Sequence, residues 1–250
     1  TVVGTLSFGV DSTSAFFQFP TSLCTGSNIA CLRANQIVSV DLGIGSSGAV
    51  VARNVVYEDG DNSDAEIEGL ITGTNAGLQQ FSIVTLAISA TGTGLNIGDV
   101  ATVHYNVVPQ TPFDIDFVHA DNVQVSTAGF LFAVPADLSV GQQVSVRRNS
   151  SSLGNSITAD RVRLRSSRVT ATVGSIGAPN LSLSNLPSIF SGHAITQILA
   201  QTFTSTIFAE NNNAITFSQI PVAGVVSVRG PLFNVSGART LLATKVVLKP

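Results

Sequence analysis

The chain has 250 residues, of which 44% are hydrophobic and only 11% are charged, and its net charge is −3. Intrinsic disorder needs the opposite composition, so it is excluded. The scattered Arg residues form no basic stripe, which argues against nucleic-acid binding. No apolar run reaches the roughly 20 residues that span a bilayer, so no membrane span is predicted. The apolar residues are spread over short segments, and we expect part of that surface to be buried between chains.

The first ten residues alternate like a β-strand, with apolar or small residues on one face and Thr or Ser on the other. That face consists of Val2, Gly4, Leu6, Phe8 and Val10. Two interpretations stay open. The segment is either a strand of its own domain or a donor strand whose alternate side chains enter the groove of a neighbouring subunit.

Cys24 and Cys31 are the only cysteines, and the residues between them include Gly and Asn, which favour a turn. We expect a local disulfide, which requires an oxidising compartment. The chain begins at Thr1 with no Met and no signal-type apolar segment. We therefore expect a secreted chain from which a leader was removed. Lysine is almost absent, so few edge strands are blunted by charge, as expected if partners cover them.

Two loop patterns resemble known sites without matching them. Residues 43–48 read G-x-G-x-x-G, but a strand-like segment follows where a dinucleotide site needs a helix, so a hairpin loop is predicted. The acidic run 58–68 offers Asp59, Asp61 and Asp64 as calcium ligands. The EF-hand pattern needs Gly where Asp64 stands, so only a looser calcium loop would fit. A solvated linker between domains is the favoured interpretation.

One degenerate pattern occurs four times: two Val residues, a polar loop, and then A-x-x-V, with a turn containing Gly before the first Val in three copies and Leu or Val at the last position of the same three. Each occurrence predicts two adjacent β-strands, and four in register indicate internal repetition. The second halves of the pattern begin at Ala52, Ala120, Ala159 and Ala243.

The repeats predict an all-β protein made of tandem small OB-like or Greek-key β-barrels or sandwiches. The expected units are residues 1–62, 63–126, 127–166 and 167–250. The unit 127–166 is abbreviated and would share strands with a neighbour. Ala194, Ile195, Ile198 and Leu199 have helical spacing. At most one short helix is therefore expected near residues 191–203, plugging one end of a barrel.

No catalytic constellation is found, and the protein is predicted not to be an enzyme and to need no cofactor. Asp114 and Asp116 share one strand face, while His119 and Asp121 share the other, so a metal or general-base site would need a bend. His104 could approach one of these pairs. Asn149, Asn180 and Asn234 each begin an N-glycosylation triplet.

The best copy of the pattern resembles a family of bacterial extracellular β-domains of unknown function that occur in tandem in secreted proteins. The residues that carry the resemblance are Leu138, Gly141, Val144, Val146, Ala159 and Val162. The resemblance implies small five-stranded OB-like barrels and implies no activity.

These observations favour a structural subunit of an extracellular, fimbria-like filament or surface assembly, in which copies polymerise through β-strand and apolar contacts. The alternative is a cell-surface adhesin or glycan-binding module that uses one barrel face.

Overall fold

A computed structural model describes the chain in two compact units, Thr1–Asn62 and Ser63–Pro250. The all-β fold class predicted from the sequence is confirmed. Among the described residues, no helix is long and apolar enough to cross a membrane. The described residues are 9–10, 16–18, 24, 28–34, 38–44, 49–57, 66–88, 94–116, 130–149, 152, 154–211 and 213–249.

Unit 1 contains a four-stranded sheet built around one long strand, β4. β3 pairs with β4 in antiparallel fashion, while β1 and β2 lie one after the other along its opposite edge, both parallel to it. Phe17, Cys31, Ala52 and Val55 form the buried core of this unit. The strands are β1 (Gly9–Val10), β2 (Phe16–Gln18), β3 (Val38–Ile44) and β4 (Val50–Tyr57).

The first part of unit 2 is a closed five-stranded barrel. Going around it, the neighbours are β5, β6, β7, β10 and β9, and β9 pairs again with β5. All neighbouring strands are antiparallel except β7 and β10, which are parallel, and β8 extends this edge of β10. The strands are β5 (Glu66–Asn75), β6 (Gln80–Ile88), β7 (Val100–His104), β8 (Phe113–Ile115), β9 (Gln143–Arg148) and β10 (Ser156–Gly177).

A second closed barrel follows with the same arrangement. Its neighbours are β10, β11, β12, β15 and β14, of which β12 and β15 are parallel. A four-residue helix, α1, lies between β11 and β12, and its Phe190 is buried in the barrel core. The elements are β11 (Asn180–Ser184), α1 (Ser188–Ser191), β12 (Ile198–Glu210), β13 (Asn213–Ala214), β14 (Val225–Val235) and β15 (Ala238–Leu248).

Strand β10 belongs to both barrels. It is 22 residues long. Residues 156–165 pair with β7, β8 and β9, whereas residues 166–177 pair with β14 and β11. The predicted boundary at residues 166 and 167 therefore falls where one continuous strand changes partners. The predicted units 63–126 and 127–166 together supply the strands of the first barrel.

The repeated A-x-x-V spacing has a structural cause. Side chains alternate along a strand, so residues three apart should face opposite sides. The register shifts by one residue after Ala52 and after Ala159, as it does at a β-bulge, and β15 has one extra residue relative to β14 between Leu241 and Lys245, the stretch that contains Ala243. The extra residue restores the inward direction. The Ala and Val side chains of the three described copies are therefore all buried: Ala52, Val55, Ala159, Val162, Ala243 and Val246.

At most one short helix was predicted, and the structure has one, which lies slightly before the expected position, at Ser188–Ser191. The helix ends at Ser191, and the segment with helical spacing continues into β12, where Ile198 is buried and Leu199 is exposed. Alternation along a strand explains those positions as well as a helix does. In the second copy of the pattern, the first half is β7, which pairs with β6 and β10, whereas the second half, from Ala120 to Val125, lies outside the described residues, so the predicted pair stays a prediction.

Candidate functional site

The outer side of the first barrel carries a cluster of ionised side chains, which we call the charged face. Glu66 and Glu68 come from β5, Asp114 and Asp116 from β8 and the residue after it. The Arg residues come from β10. This strand has β8, with Asp114, on one side and β9 on the other, and β9 in turn pairs with β5, which carries the two Glu residues. The members of the charged face are Glu66, Glu68, Asp114, Asp116, Arg161, Arg163 and Arg165.

Arg165 is the centre of this face, because its side chain is only 13% exposed and reaches three carboxylates. Its Nη1 lies 3.2 Å from Glu68 Oε1, its Nη2 lies 3.4 Å from Glu66 Oε2, and its Nε lies 3.4 Å from Asp116 Oδ2. Alternate positions of a strand share a face, which is why residues 161, 163 and 165 all point outward while Val162 and Leu164 are buried.

Asp114 is paired with the other two Arg residues. Arg161 Nε donates to Asp114 Oδ2 at 2.7 Å, and Arg163 Nε lies 3.8 Å from Asp114 Oδ1. Polar side chains of β9 complete the network, since Gln143 Nε2 donates to Glu68 Oε1 at 2.7 Å and Ser145 Oγ donates to Glu66 Oε2 at 2.8 Å. The charged face is therefore suited to holding strands together.

The predicted metal or general-base site is not assembled among the described residues. His104 pairs with Thr158 of β10, whereas Asp114 pairs with Arg163 five residues further along that strand, or roughly 16 Å at the strand rise. His119 and Asp121 lie outside the described residues. Within the part of the chain that the structure describes, no three His, Cys, Asp or Glu side chains are grouped to hold a metal ion.

The two barrels also meet in a packed contact, which we call the barrel joint. Phe233 and Leu242 come from strands of the second barrel but are buried in the core of the first. The ring centroid of Phe233 lies 5.4 Å from that of Phe130, with the two ring planes tilted by 56°. On the other side, the ring of Phe190 lies so close to Gly141 that a Cβ there would be 2.1 Å from its Cε1. Side chains of the second barrel thus fill space inside the first barrel and against its Gly141 turn.

Gln142 is the polar centre of the barrel joint, and its side chain is fully buried. Its Oε1 accepts from Ser139 N at 2.6 Å, and its Nε2 donates to Asp137 O and Leu232 O, both at 3.0 Å. Ser167 Oγ of the second barrel accepts from Gln143 N at 2.9 Å. A buried amide with satisfied donors and acceptor fixes one arrangement, because any other leaves these groups unpaired.

The Cys24–Cys31 disulfide predicted from the sequence is confirmed, with the two Cα atoms 5.6 Å apart. β3 and β4 are antiparallel neighbours, with Ile44 beside Val50, as the hairpin predicted at residues 43–48 requires, although residues 45–48 lie outside the described residues. The calcium candidates Asp59, Asp61 and Asp64 lie outside the described residues.

The donor-strand segment is described only at its end. Val2, Gly4, Leu6 and Phe8 lie outside the described residues. Gly9 and Val10 form β1 and pair with Val51 and Ala52 of their own chain. At this end, the segment is therefore part of its own unit.

The three glycosylation candidates differ in their surroundings. Asn149 Nδ2 donates to Asp160 Oδ1 at 3.1 Å on the exposed β9–β10 connection. Asn180 begins β11 and is half-buried. Asn234 is engaged on both sides of its amide, donating to Ala136 O at 3.3 Å and accepting from Arg239 Nη1 at 2.6 Å. Burial lowers the pKa of Arg239, the partner of this amide. Whether any of the three is modified stays a prediction.

Sequence reasoning missed the charged face and the barrel joint. The Glu and Arg partners are up to 99 positions apart, and no local pattern links them. One signal was present, because the run R-V-R-L-R at residues 161–165 alternates charged and apolar residues, as an outward charged row on a strand does.

No family model matches the chain, and no curated protein sequence matches it. The resemblance to tandem bacterial extracellular β-domains therefore stays a prediction from the repeated pattern.

Proposed function

We propose that this protein is a structural subunit of an extracellular filament or surface assembly, whose copies associate through β-strand and apolar contacts. The observation that carries the proposal is the continuous strand β10, which forms a wall of both barrels. Two barrels joined by a flexible linker would move independently. A hydrogen-bonded strand and a packed joint make unit 2 a stiff element instead, which suits a structural role.

The composition of the surface supports association between copies. Val108 is 89% exposed, and Ile97 is 72% exposed. Isolated apolar side chains are common on protein surfaces, but contiguous ones usually mark contacts. Val108 has exposed apolar neighbours in the same region, because Gln110 Nε2 of its turn donates to Ala133 O, between Leu131 and Val134. We assign this region, Val107, Val108, Leu131 and Val134, to contacts between subunits.

The disulfide supports an extracellular site of action, because such bonds persist in oxidising compartments. The charged face supports the same role in a different way. It ties β5, β8, β9 and β10 together from outside, while their inward side chains fill the core.

The first test is negative-stain electron microscopy of the native protein beside size-exclusion chromatography. Regular fibres or sheets are expected. Val108→Asp should abolish them, because it places a charge at an apolar contact, whereas Ser205→Asp, at an exposed position of the second barrel, should not. A protein that stays monomeric at every concentration would contradict the proposal. The glycan-binding alternative would then be tested on a glycan array.

A further inference from the structure

The first barrel carries a cluster of exposed apolar side chains, which we call the Ile97 patch. Its members Leu86, Ile97 and Val100 are 41%, 72% and 56% exposed. They are neighbours, because Thr85, which precedes Leu86, is hydrogen-bonded through its backbone to residues 98 and 99, between the other two. Contiguous exposed apolar side chains usually mark contacts.

The second barrel carries an exposed turn, residues 220–224, which we call the Val222 turn and which leads into β14. Its counterpart is the turn at residues 138–142, which leads into β9, because each turn exchanges two backbone hydrogen bonds with the first strand of its own barrel. At the barrel joint, Val140 is only 5% exposed. Val222, at the same position of the second barrel, is 59% exposed, and Val225 beside it is 41% exposed. The second barrel thus presents the surface that the first barrel buries.

These two surfaces lie at opposite ends of unit 2, with the barrel joint between them. β7, beside the Ile97 patch, pairs with the start of β10 at Ser156. β14, which follows the Val222 turn, begins opposite Thr172 of the same strand. The joint at Ser166 and Ser167 is roughly 33 Å along β10 from the first position and roughly 20 Å from the second. Neither surface is therefore covered by the joint.

The Ile97 patch is the counterpart of the other half of the joint. Helix α1, with Phe190, belongs to the connection between the second and third strands of the second barrel, and it reaches the Gly141 turn of the first. Ile97 belongs to the same connection of the first barrel, between β6 and β7. Unit 2 therefore presents one half of a barrel joint at each end.

A difference between the two turns agrees with this match. Gly141 leaves room for the ring of Phe190, whereas Ala223 has a Cβ at the same place. The connection at residues 89–99 contains no aromatic residue. No ring would therefore meet Ala223 if the Ile97 patch packed against the Val222 turn.

The two barrels also carry opposite net charges. Residues 63–166 contain nine Asp or Glu and five Arg, a net charge of −4, whereas residues 167–250 contain five Arg or Lys and one Glu, a net charge of +4. A contact between unlike barrels of two copies brings opposite charges together, and a contact between like barrels brings like charges together. The charges therefore favour a head-to-tail order.

We infer that the Val222 turn of one copy docks on the Ile97 patch of a second copy, so that the barrel joint is repeated between chains. The inference rests on the proposed function and names a second contact for it. The Val108 region lies on the side of the first barrel, between β7 and β8, and makes sideways contacts. The new contact joins copies end to end, and a head-to-tail contact that does not close produces a filament.

The experiment is sedimentation velocity over a range of concentrations on chains that all carry Val108→Asp, which removes the sideways contact. The chain with this change alone should form short strings whose mean length grows with concentration. Adding Ile97→Asp or Val222→Asp should lower the association constant at least about thirtyfold, because a charge enters an apolar contact. Leu78→Asp is the matched control, since it changes an exposed apolar residue of the first barrel outside the patch and should leave the strings unchanged.

Mixing the chain that carries Ile97→Asp with the chain that carries Val222→Asp tests the head-to-tail order. Each variant keeps one intact half of the contact, and the two intact halves are complementary. The mixture should therefore form a one-to-one dimer that grows no further, although each variant alone is monomeric. Formation of the dimer also shows that both variants are folded.

Three results would overturn the inference and leave the proposed function standing. In the first, the unchanged chain assembles but the chain with Val108→Asp is monomeric at every concentration. In the second, the strings persist with Ile97→Asp or Val222→Asp. In the third, the mixture of the two variants stays monomeric, so the two surfaces do not meet. If the unchanged chain is itself monomeric at every concentration, the proposed function fails and this inference fails with it.

Discussion

Each barrel of unit 2 has a turn of the same kind, before β9 in the first barrel and before β14 in the second. The two turns make the same backbone hydrogen bonds with different residues. In the first barrel, Gly141 N donates to Ile71 O, and Ile71 N donates to Gln142 O. In the second, Ala223 N donates to Val173 O, and Val173 N donates to Gly224 O. The backbone is left-handed at both positions, with φ of 87° at Gly141 and 66° at Ala223.

This difference separates two reasons for a glycine. The paired hydrogen bonds impose the left-handed backbone in both barrels, and an alanine tolerates it at some cost. Only at Gly141 does a neighbour, the ring of Phe190, occupy the place of a Cβ. Ala223 is exposed. We therefore attribute the glycine of the first barrel mainly to the barrel joint and only partly to the turn.

The largest expected effect comes from Gly141→Ala. The new methyl group would overlap Phe190, so the free energy of unfolding should fall by about 3 kcal/mol. Denaturant unfolding of the full chain would measure it. In a Phe190→Ala background the overlap is gone. The loss of unfolding free energy caused by Gly141→Ala should then fall to about 1 kcal/mol, the cost of a left-handed backbone at alanine. An equal cost in both backgrounds would show that the joint does not require this glycine.

The outer surfaces of the two barrels also differ. Among the described residues, a network of ion pairs lies on the first barrel and none is seen on the second. Arg165→Met leaves Asp116, which is 7% exposed, without this partner. The free energy of unfolding should fall by about 2 kcal/mol, less than for a fully buried pair because Glu66 and Glu68 are partly solvated.

Arg168→Met is the matched control for Arg165→Met. It removes an exposed Arg from the same strand in its second-barrel half, and its effect should stay within about 0.5 kcal/mol. Calorimetry on both variants would decide. Equal small effects would mean that the charged face contributes little to stability.

Ala223→Gly tests the turn comparison from the other side and should have a smaller effect. Glycine adopts the left-handed backbone without a steric penalty, and the lost methyl group is exposed. The free energy of unfolding should rise by about 0.5 kcal/mol after the larger entropy of the unfolded chain is counted. A fall in stability would show that Ala223 adopts the left-handed backbone of this turn without a free-energy cost.

The smallest effect is expected at high pH and only in the first barrel, because the second has no Tyr. Burial raises the pKa of Tyr105 above its ordinary value of 10.0. The unfolded chain then loses this proton at lower pH than the folded chain. The contribution of Tyr105 to the free energy of unfolding is therefore constant below about pH 10. It is lost as the pH rises through the pKa of Tyr105 in the folded chain.

A Tyr57→Phe variant leaves Tyr105 as the only tyrosine, so the absorbance of tyrosinate reports it alone. We expect its titration midpoint above that of the same chain in denaturant. Equal midpoints would show that the Tyr105 hydroxyl is not desolvated.

The inward pattern of the strands could be predicted from the sequence, and the joining of the barrels could not. Ala159, Val162 and Leu164 have the spacing of core residues once a bulge is allowed. By contrast, the predicted boundary between two units falls between Ser166 and Ser167. They lie inside β10 and are 7% and 0% exposed. Small hydroxyl side chains are common in loops, so only the distant partner Gln143 reveals their place.

The charged face was hidden from the sequence for the same reason. Asp114 and Asp116 could be assigned to one strand face, but their Arg partners come from a strand more than forty residues later. A pair of carboxylates on one face predicts a metal site as readily as an ion-pair network. The deciding information is which strand is the neighbour, and that is set by the barrel topology.

The shared strand has a consequence for how such a protein can change during evolution. Tandem domains separated by linkers can be gained, lost or exchanged as cassettes. Here, deleting the second barrel from Ser166 onward would also remove Phe233 and Leu242 from the core of the first. Deleting the first would remove Gly141 and Gln143, against which Phe190 and Ser167 of the second barrel pack and hydrogen-bond. We therefore expect the two barrels to be gained or lost together rather than one at a time.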